Sequence, residues 1–144
     1  MTIYFYTIHD NYGCFSNFSR HGFELDGVYW KTSEHYFQAQ KFVDTKYLDK
    51  VREARSPKDA ATLGRRRDFP LRDDWEAVKD DVMRQAVLKK FQTHDDIRKI
   101  LLDTGDEDLV ENAPGDYYWG CGKDGTGKNM LGIILMEVRE QLRD

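Results

Sequence analysis

Most of the chain beyond residue 31 carries apolar side chains at the spacing of an amphipathic α-helix. The last segment repeats them on one face: Leu131, Ile134, Leu135, Val138 and Leu142. A helix with one apolar face is stable when that face packs against another element. The pattern therefore predicts a protein built mainly from several short helices that share a buried core.

Capping residues divide this region into six predicted helices. The helices run from Thr32 or Ser33 to about Phe42, from Tyr47 to Ala54, from Ser56 to near Gly64, from Asp73 to Phe91, from Asp95 to Leu102, and onward from a cap at Asn129. Ser56 precedes Pro57, which suits the first helical position, and Asp73 stands three residues before Glu76, as in a capping box. These signals indicate where each helix begins.

The remaining regular structure is predicted to be a little β-sheet. Ile3–Thr7 is β-branched and aromatic, and residues 23–30 alternate around Asp26-Gly27, the two-residue turn of a hairpin. Leu109-Val110 is a third short strand candidate. The fold class is therefore mainly α (α+β), with a small antiparallel sheet or hairpin near the N-terminus. At 144 residues, we expect one domain, 1–144.

Composition excludes several classes of function. The formal net charge of −4 and pI near 5.6 disfavour a dedicated nucleic-acid binder. The longest apolar run, Met130–Met136, is far shorter than the ~20 residues that span a bilayer. The N-terminus lacks a basic region and an apolar signal core, so we expect a cytoplasmic protein. Cys14, Cys121 and the scattered histidines lack metal-ligand spacing, and neither a metal nor a cofactor is predicted.

Aromatic residues are 13% of a chain whose mean hydropathy is −0.76, which is unusual for so polar a sequence. Such rings serve either a core or a stacking surface. Ile3–Tyr6, Phe42 and Phe91 are predicted to be core. A second set lies beside carboxylates, glycines and cationic residues and is predicted to line a cleft near Glu34: Trp75, Tyr117, Tyr118 and Trp119.

The segment Trp30–Phe42 is the most informative for function. Glu34 lies in the first predicted helical turn, Gln38 follows at i+4, and Lys41 lies about two turns from Glu34 on the same face. One interpretation is structural: a favourable acid at a helix N-terminus and a solvated lysine. The other is a carboxylate placed for general-base or cation-stabilising work, with a lysine as donor or nucleophile.

Two glycine-containing segments near the C-terminus are candidates for ligand contact. Asp116–Gly122 combines a carboxylate with an aromatic wall among glycines, or is simply a strand end with a turn. Gly122–Asn129 nearly matches a phosphate loop, but Asn129 replaces the magnesium-binding hydroxyl and no buried strand precedes it, so a nucleotide triphosphatase is disfavoured. Glycine-rich amides before a helix, beside Lys128, are still predicted to hold a phosphate.

A basic run and a tryptophan have two interpretations each. Gly64–Arg67 is either a charged helix end, where cations suit the dipole, or a phosphate clamp. Trp75 is either a core anchor or a base-stacking residue.

Together these segments resemble the NADAR superfamily, also called YbiA-like, and are nearest its bacterial YbiA branch. The matching stretches cover nearly the whole chain in order: Phe15–Phe18, Trp30–Phe42, Ala60–Arg65, Trp75–Lys79, Val82–Ala86, Tyr118–Gly120 and Gly125–Gly132. The Trp30–Phe42 and Gly125–Gly132 stretches are the specific ones. One departure is Cys121, where YbiA-like sequences often carry aspartate between the two glycines.

The resemblance implies an enzyme that hydrolyses an N-glycosidic bond at the anomeric carbon of a ribose, on a ribosyl phosphate or ADP-ribose-like ligand. Two substrate classes are associated with the family: phosphorylated ribosylaminopyrimidine intermediates of riboflavin synthesis, and ADP-ribose attached to guanine, which makes ADP-ribosylated DNA or RNA a potential partner. The family's active-site positions fall here on Glu34, Trp75, Asp116 and Trp119, joined by Lys41.

The resulting hypothesis assigns a role to each group. Glu34 is the general base or charge stabiliser, and Asp116 supports it or orients the ribose. In a variant of this mechanism, Lys41 is a nucleophile that forms an imine with the opened sugar. The predicted substrate-binding residues are Trp75 and Trp119, which sandwich the base, with Tyr118, Asn17, Gln38, Arg65, Gly127 and Lys128. The competing hypothesis is a non-catalytic ADP-ribose or NAD-binding module, which would not need Glu34.

Overall fold

The computed structural model describes residues 1–143 and contains six α-helices and four short strands in that range. The fold is α+β, as predicted. The chain forms two compact units, one made of Met1–Ser19 with everything from Phe91 onward, the other of Arg20–Lys90. The prediction of one domain over residues 1–144 stays a prediction. No helix among the described residues is long and apolar enough to cross a bilayer.

The first unit, called the terminal unit here, contains the strands β1 (Thr2–Phe5) and β4 (Asp108–Glu111) and the helices α5 (Asp95–Asp103) and α6 (Met130–Leu142). Its core includes Phe5, Phe15, Phe91, Leu101, Leu109, Leu131, Ile134 and Leu135, each at most 1% exposed. The Phe15 ring meets both Phe5, at 5.7 Å between centroids, and Phe91, at 6.0 Å. Phe91 is core, as predicted.

The two strands of the terminal unit pair in parallel, with Thr2 opposite Asp108 and Phe5 opposite Glu111. Only antiparallel pairing was expected from the sequence. Parallel strands need a long crossover, and here most of the chain lies between them, so no local turn signal announces the pair.

Side chains of β1 alternate between the core and solvent, which corrects the prediction that all of Ile3–Tyr6 is core. Phe5 is 1% exposed, whereas Tyr4 and Tyr6 are 58% and 48% exposed. Successive side chains of a strand point to opposite faces, so only every second residue of this run reaches the interior.

The second unit, called the central unit here, contains the predicted hairpin of β2 (Phe23–Leu25) and β3 (Val28–Trp30), paired antiparallel. Asp26 and Gly27 form its turn with φ of 55° and 81°, the left-handed conformations that a two-residue hairpin turn requires. Three helices follow: α1 (Ser33–Ala39), α2 (Lys46–Arg52) and α3 (Pro57–Gly64). A long helix, α4 (Trp75–Thr93), begins in this unit, and its last three residues belong to the terminal unit.

Two of the predicted helix starts are confirmed by side-chain caps. The Thr32 hydroxyl accepts a hydrogen bond from the His35 amide, and the Ser56 hydroxyl accepts one from the Asp59 amide. Helix α4 instead begins at Trp75, later than the predicted Asp73. The carboxylate of Asp74 pairs with Arg72 at 2.6 Å, and its carbonyl accepts the first helical bonds.

Candidate functional site

Helix α1 is fixed at its N-terminus by buried polar contacts. The His35 ring spans between Thr32 Oγ1, at 2.8 Å, and the Ala54 carbonyl, at 2.9 Å. The ammonium of Lys31 donates to the same carbonyl at 2.9 Å. Burial lowers the pKa of His35, so the ring is held as a neutral structural group. These contacts set the orientation of the helix turn that carries Glu34.

Glu34 and Gln38 form a hydrogen-bonded pair on α1, as their i, i+4 spacing predicts. The Gln38 amide donates to the Glu34 carboxylate at 2.8 Å, and the two residues are only 5% and 8% exposed. Glu34 thus lies in the first turn of the helix, as predicted, and it is buried there. A nearly dry carboxylate is costly unless hydrogen bonds hold it, and such a group is suited to facing a developing positive charge.

Glu34, Gln38 and Lys41 form what is called the α1 stripe here. Lys41 lies at its end, in a short 3-10 turn of Gln40–Phe42 that continues α1. It is 7% exposed, and its ammonium donates to the Gly64 carbonyl at 3.3 Å. The Phe37 and Trp75 rings lie 5.7 and 5.9 Å from the Lys41 nitrogen. The interpretation of Lys41 as a solvated lysine is therefore wrong.

The surroundings of Lys41 weaken its positive charge. The pKa of Lys41 is lowered to about 8, chiefly by burial and next by the charge of Arg67, while Glu34 opposes the shift and Arg65 adds a smaller lowering. A lysine with this pKa carries a substantial neutral fraction near pH 8, unlike a surface lysine near 10.4. The amine is therefore suited to nucleophilic chemistry.

Trp75 packs within the central unit. It is 6% exposed, and its ring meets Phe37 with centroids 5.1 Å apart and planes inclined by 59°. This favours the core-anchor interpretation over an open stacking face. The ring nonetheless forms part of the wall beside Lys41, so stacking on a substrate base stays a prediction.

The basic run after α3 is not a uniform clamp. Arg66 makes a bidentate pair with Asp68, at 2.6 and 3.1 Å, and Arg67 donates to the Gly64 carbonyl at 3.0 Å. Arg65 is exposed to solvent at the helix end. The helix-end interpretation therefore holds for Arg67, and the binding of phosphate by Arg65 stays a prediction.

In the terminal unit, Asp116 organises the aromatic segment that follows it. One of its carboxylate oxygens accepts from the amides of Tyr118, at 3.0 Å, and Trp119, at 2.8 Å. Tyr118 and Trp119 are half-buried and meet edge to face at 4.9 Å, and the Lys128 ammonium lies 5.4 Å from the Tyr118 ring. This oxygen of Asp116 supports the loop, and a role of the residue toward substrate stays a prediction.

The glycine-rich segment before α6 uses its amides within the fold. The five consecutive amides of residues 127–131 donate to the carbonyls of residues 117–121, at distances from 2.7 to 3.0 Å. The amides of residues 127–129 are therefore not available to a phosphate, since each already has an acceptor, and phosphate binding by the rest of the Gly122–Asn129 segment stays a prediction. Gly127 instead allows close approach, because a Cβ there would lie 2.5 Å from the Gly120 carbonyl oxygen. A role of the Lys128 side chain toward phosphate stays a prediction.

Asn129 has a different role from the predicted helix cap. It adopts a left-handed φ of 53° before α6, and its side chain makes no capping bond. Its amide instead donates to the Leu109 carbonyl and accepts from the Glu111 amide, both at 2.9 Å. The side chain therefore fastens the loop to β4.

The structure thus gathers the predicted residues into two sets. Glu34, Gln38, Lys41 and Trp75 belong to the central unit, with Arg65 at the end of α3; Asp116, Tyr118, Trp119, Gly127 and Lys128 belong to one loop of the terminal unit. Asn17 is buried beside the 3-10 turn of Gly13–Phe15. Among residues 1–143, no group of three or more His, Cys, Asp or Glu could hold a metal ion.

Sequence reasoning missed the importance of Gly64. Its carbonyl accepts from both Lys41 and Arg67, and a Cβ at this position would lie 2.1 Å from the Gln38 side-chain oxygen. That oxygen is buried without a hydrogen-bond partner in the described part of the chain. The only signal in the sequence is a glycine at a helix end, which normally indicates termination alone.

Known proteins with similar sequences support one identification. An N-glycosidase of Nostoc punctiforme (strain ATCC 29133 / PCC 73102) is 55% identical over 147 residues, covering 100% of this chain and 94% of that protein. N-glycosidase YbiA of Escherichia coli (strain K12) is 53% identical over 140 residues, covering 97% and 88%. A riboflavin biosynthesis protein of Vibrio vulnificus (strain YJ016) is 42% identical over 142 residues, covering 99% of this chain and 39% of that longer protein.

The fold agrees with these sequence relations. The NMR structure of E. coli YbiA matches with a TM-score of 0.91 and 52% identity, covering 98% of this chain and 84% of that one. The sequence profile of the NADAR domain matches residues 4–143. The chain therefore belongs to the NADAR domain family.

Proposed function

We propose that this protein hydrolyses the bond between the anomeric carbon of a phosphorylated ribose and the nitrogen of its base. Glycosidase activity is supported by relatives named N-glycosidase at 55% and 53% identity over nearly the full chain. The observation that carries the mechanism is the buried stripe of Glu34, Gln38 and Lys41 on α1 and its 3-10 extension.

Breaking this bond places positive charge on the anomeric carbon and ring oxygen of the sugar. A carboxylate held rigidly in a dry site stabilises such charge, or removes a proton from the water that attacks it. The bond with Gln38 holds the Glu34 carboxylate in one orientation, so little reorganisation is needed during the reaction. We assign Glu34 this role.

Lys41 offers a covalent variant of the same hydrolysis. After the sugar ring opens, the neutral amine donates its lone pair to the anomeric carbon, the base departs with a proton, and a lysine imine remains. Water then adds to the imine, which releases the sugar aldehyde and restores the amine. The lowered pKa of about 8 supports this route, because only the neutral amine attacks.

Substrate binding is proposed for the remaining groups. The exposed Arg65 and the Lys128 ammonium are cations suited to phosphate oxygens. Tyr118 and Trp119 are half-buried rings suited to stacking on a heterocycle, and Trp75, Asn17, Gln38, Gly127 and Asp116 stay proposed contributors.

The relative named as a riboflavin biosynthesis protein supports ribosylaminopyrimidine phosphates as the substrate class. ADP-ribosylated guanine has the same bond type and is the second candidate. The test incubates the protein separately with the pyrimidine phosphate and with guanine-ADP-ribosylated DNA, and follows released ribose species by mass spectrometry. Release from either substrate identifies the leaving group. Binding of both without release would contradict hydrolysis and support a non-catalytic ADP-ribose-binding module.

Borohydride tests the covalent variant separately. It reduces an imine to a stable secondary amine, so a substrate-dependent mass increase on the Lys41 peptide is expected. The absence of any adduct at Lys41 during active turnover would leave direct attack by water, with Glu34 as base, as the mechanism.

A further inference from the structure

The C-terminal end of α3 collects side-chain donors from three elements. The Leu63 carbonyl accepts from the Tyr47 hydroxyl at 2.6 Å, and the Gly64 carbonyl accepts from Lys41 at 3.3 Å and from Arg67 at 3.0 Å. The last carbonyls of a helix lack partners within it and carry partial negative charge, so cations bind there favourably. The end of α3 is therefore where the Lys41 amine is held.

Two cationic groups share the Gly64 oxygen, and they differ in environment. Both nitrogens lie within 3.3 Å of that oxygen, so their positive charges repel each other at short range. Lys41 is 7% exposed, whereas Arg67 is an exposed residue. A guanidinium does not lose its proton in proteins, but a lysine does. The repulsion is therefore relieved by deprotonating Lys41.

Other groups around Lys41 act in both directions. Glu34, on the same stripe, favours the charged amine, while Arg65 disfavours it more weakly than Arg67. The Phe37 and Trp75 rings face the amine and exclude water from it. Arg72 on the following loop pairs with Asp74, and only its backbone amide bonds to Lys41. Arg67 is thus the main cation that opposes charge on Lys41.

We propose that Arg67 is a positioning residue: its guanidinium, held on the same Gly64 carbonyl as the buried Lys41 amine, favours the neutral form of that amine over the charged form. The proposal rests on the proposed function only for its consequence for turnover. It assigns to the exposed basic run a second role beyond binding phosphate, with Arg67 acting on the nucleophile and not on the substrate.

The test follows the carbon-13 shift of the Lys41 Cε by NMR while pH is raised, in the wild type, Arg67→Gln and Arg66→Gln. The resonance is assigned by its loss in Lys41→Met. Removing Arg67 is expected to raise the Lys41 titration midpoint by about one pH unit. Arg66→Gln removes an equal charge one residue away, but from a group paired with Asp68, and is expected to leave the midpoint unchanged.

The same titration at high salt is a second test. At about 1 M salt the Debye length is near 3 Å, so the charge of the exposed Arg67 guanidinium is screened from Lys41. Wild type in high salt is expected to move toward the Arg67→Gln midpoint, while Arg67→Gln itself changes little. Equal midpoints for wild type and Arg67→Gln, or equal shifts in both arginine variants, would overturn the proposal.

Turnover separates this proposal from the proposed function. The alkaline shift is expected to reappear in the pH dependence of kcat/KM, with loss of rate below pH 8 greater in Arg67→Gln than in Arg66→Gln. Inactivity of the wild type on both substrates, with the NMR shift intact, would remove the proposed function alone. Activity with unchanged midpoints would remove the role of Arg67 alone.

Discussion

The α1 stripe of the central unit and the glycine-rich loop of the terminal unit are both predicted from the sequence to contact substrate, but they are built differently. In the stripe, the candidate groups are side chains: Glu34, Gln38 and Lys41 are buried, and the helix spacing brings them to one face. In the loop, the candidate groups are backbone amides, and those of residues 127–131 already donate to the carbonyls of residues 117–121.

The difference shows which parts of a site a sequence can indicate. Helix periodicity fixes the direction of a side chain to within part of a turn, whatever the helix packs against. Whether a backbone amide is available depends on every segment that passes near it. A glycine-rich run before a helix therefore has the right composition for an anion site without having free donors.

The largest expected effect concerns the stripe. Glu34→Gln keeps the size of the side chain but removes the negative charge, so turnover is expected to fall by about 10²–10⁴-fold while ligand binding persists. Stopped assays with either substrate, with binding measured by calorimetry, check this. Glu76→Gln, which changes an exposed acid of α4 paired with Lys79, is the control and is expected to keep full activity. Retained turnover in Glu34→Gln would rule out its catalytic role.

The second largest effect is expected from the packing of Gly64 against Gln38. Gly64→Ala places a Cβ 2.1 Å from the Gln38 oxygen, so Gln38 must move and Glu34 loses its fixed orientation. Overpacking of this kind is expected to cost about 1–3 kcal/mol in the free energy of unfolding, with most activity lost. Gly115→Ala in the terminal unit meets nothing within 4 Å and is the matched control. Equal urea midpoints for the two variants would contradict the close approach.

The pH dependence of stability tests the burial of Lys41 without any substrate. Its pKa is about 8 when folded and near 10.4 when unfolded, so between these values only the unfolded chain holds the proton. Stability therefore rises with pH across this window through Lys41, and is lowest below pH 8 where the buried amine is charged. Urea unfolding from pH 7 to 11 is expected to show this rise in wild type relative to Lys41→Met. Parallel curves would mean that Lys41 titrates normally.

The smallest effect concerns the loop. Asn129→Gly keeps the left-handed conformation but removes both bonds to β4, so unfolding is expected to become easier by about 1–2 kcal/mol. Asp26→Gly makes the same exchange at the hairpin turn, where φ is 55°, and is expected to be neutral or slightly stabilising. If Asn129→Gly lowers the free energy of unfolding no more than Asp26→Gly does, the two bonds of Asn129 contribute little to stability.

Much of the fold was predictable because its signals are local. The hairpin at Asp26-Gly27 and the caps at Thr32 and Ser56 involve neighbouring residues only, and all three are confirmed. The parallel pairing of β1 with β4 was not predicted, because it joins distant segments. The same distinction applies at the site: helical spacing indicated Glu34–Gln38, while the contact of Gly64 with Gln38 joins two helices and has no pattern in the sequence.

The loop between β4 and α6 also has a consequence for hydrogen exchange. Residues 112–129 form neither helix nor strand. The amide protons of such a segment usually exchange fast with solvent, because a surface loop opens easily. Here the amides of residues 127–131 are paired with residues 117–121 as thoroughly as in a ladder, and Asn129 adds two bonds to a strand. The segment should therefore open as one cooperative unit with β4 and α6, and its amides should be protected like those of regular structure.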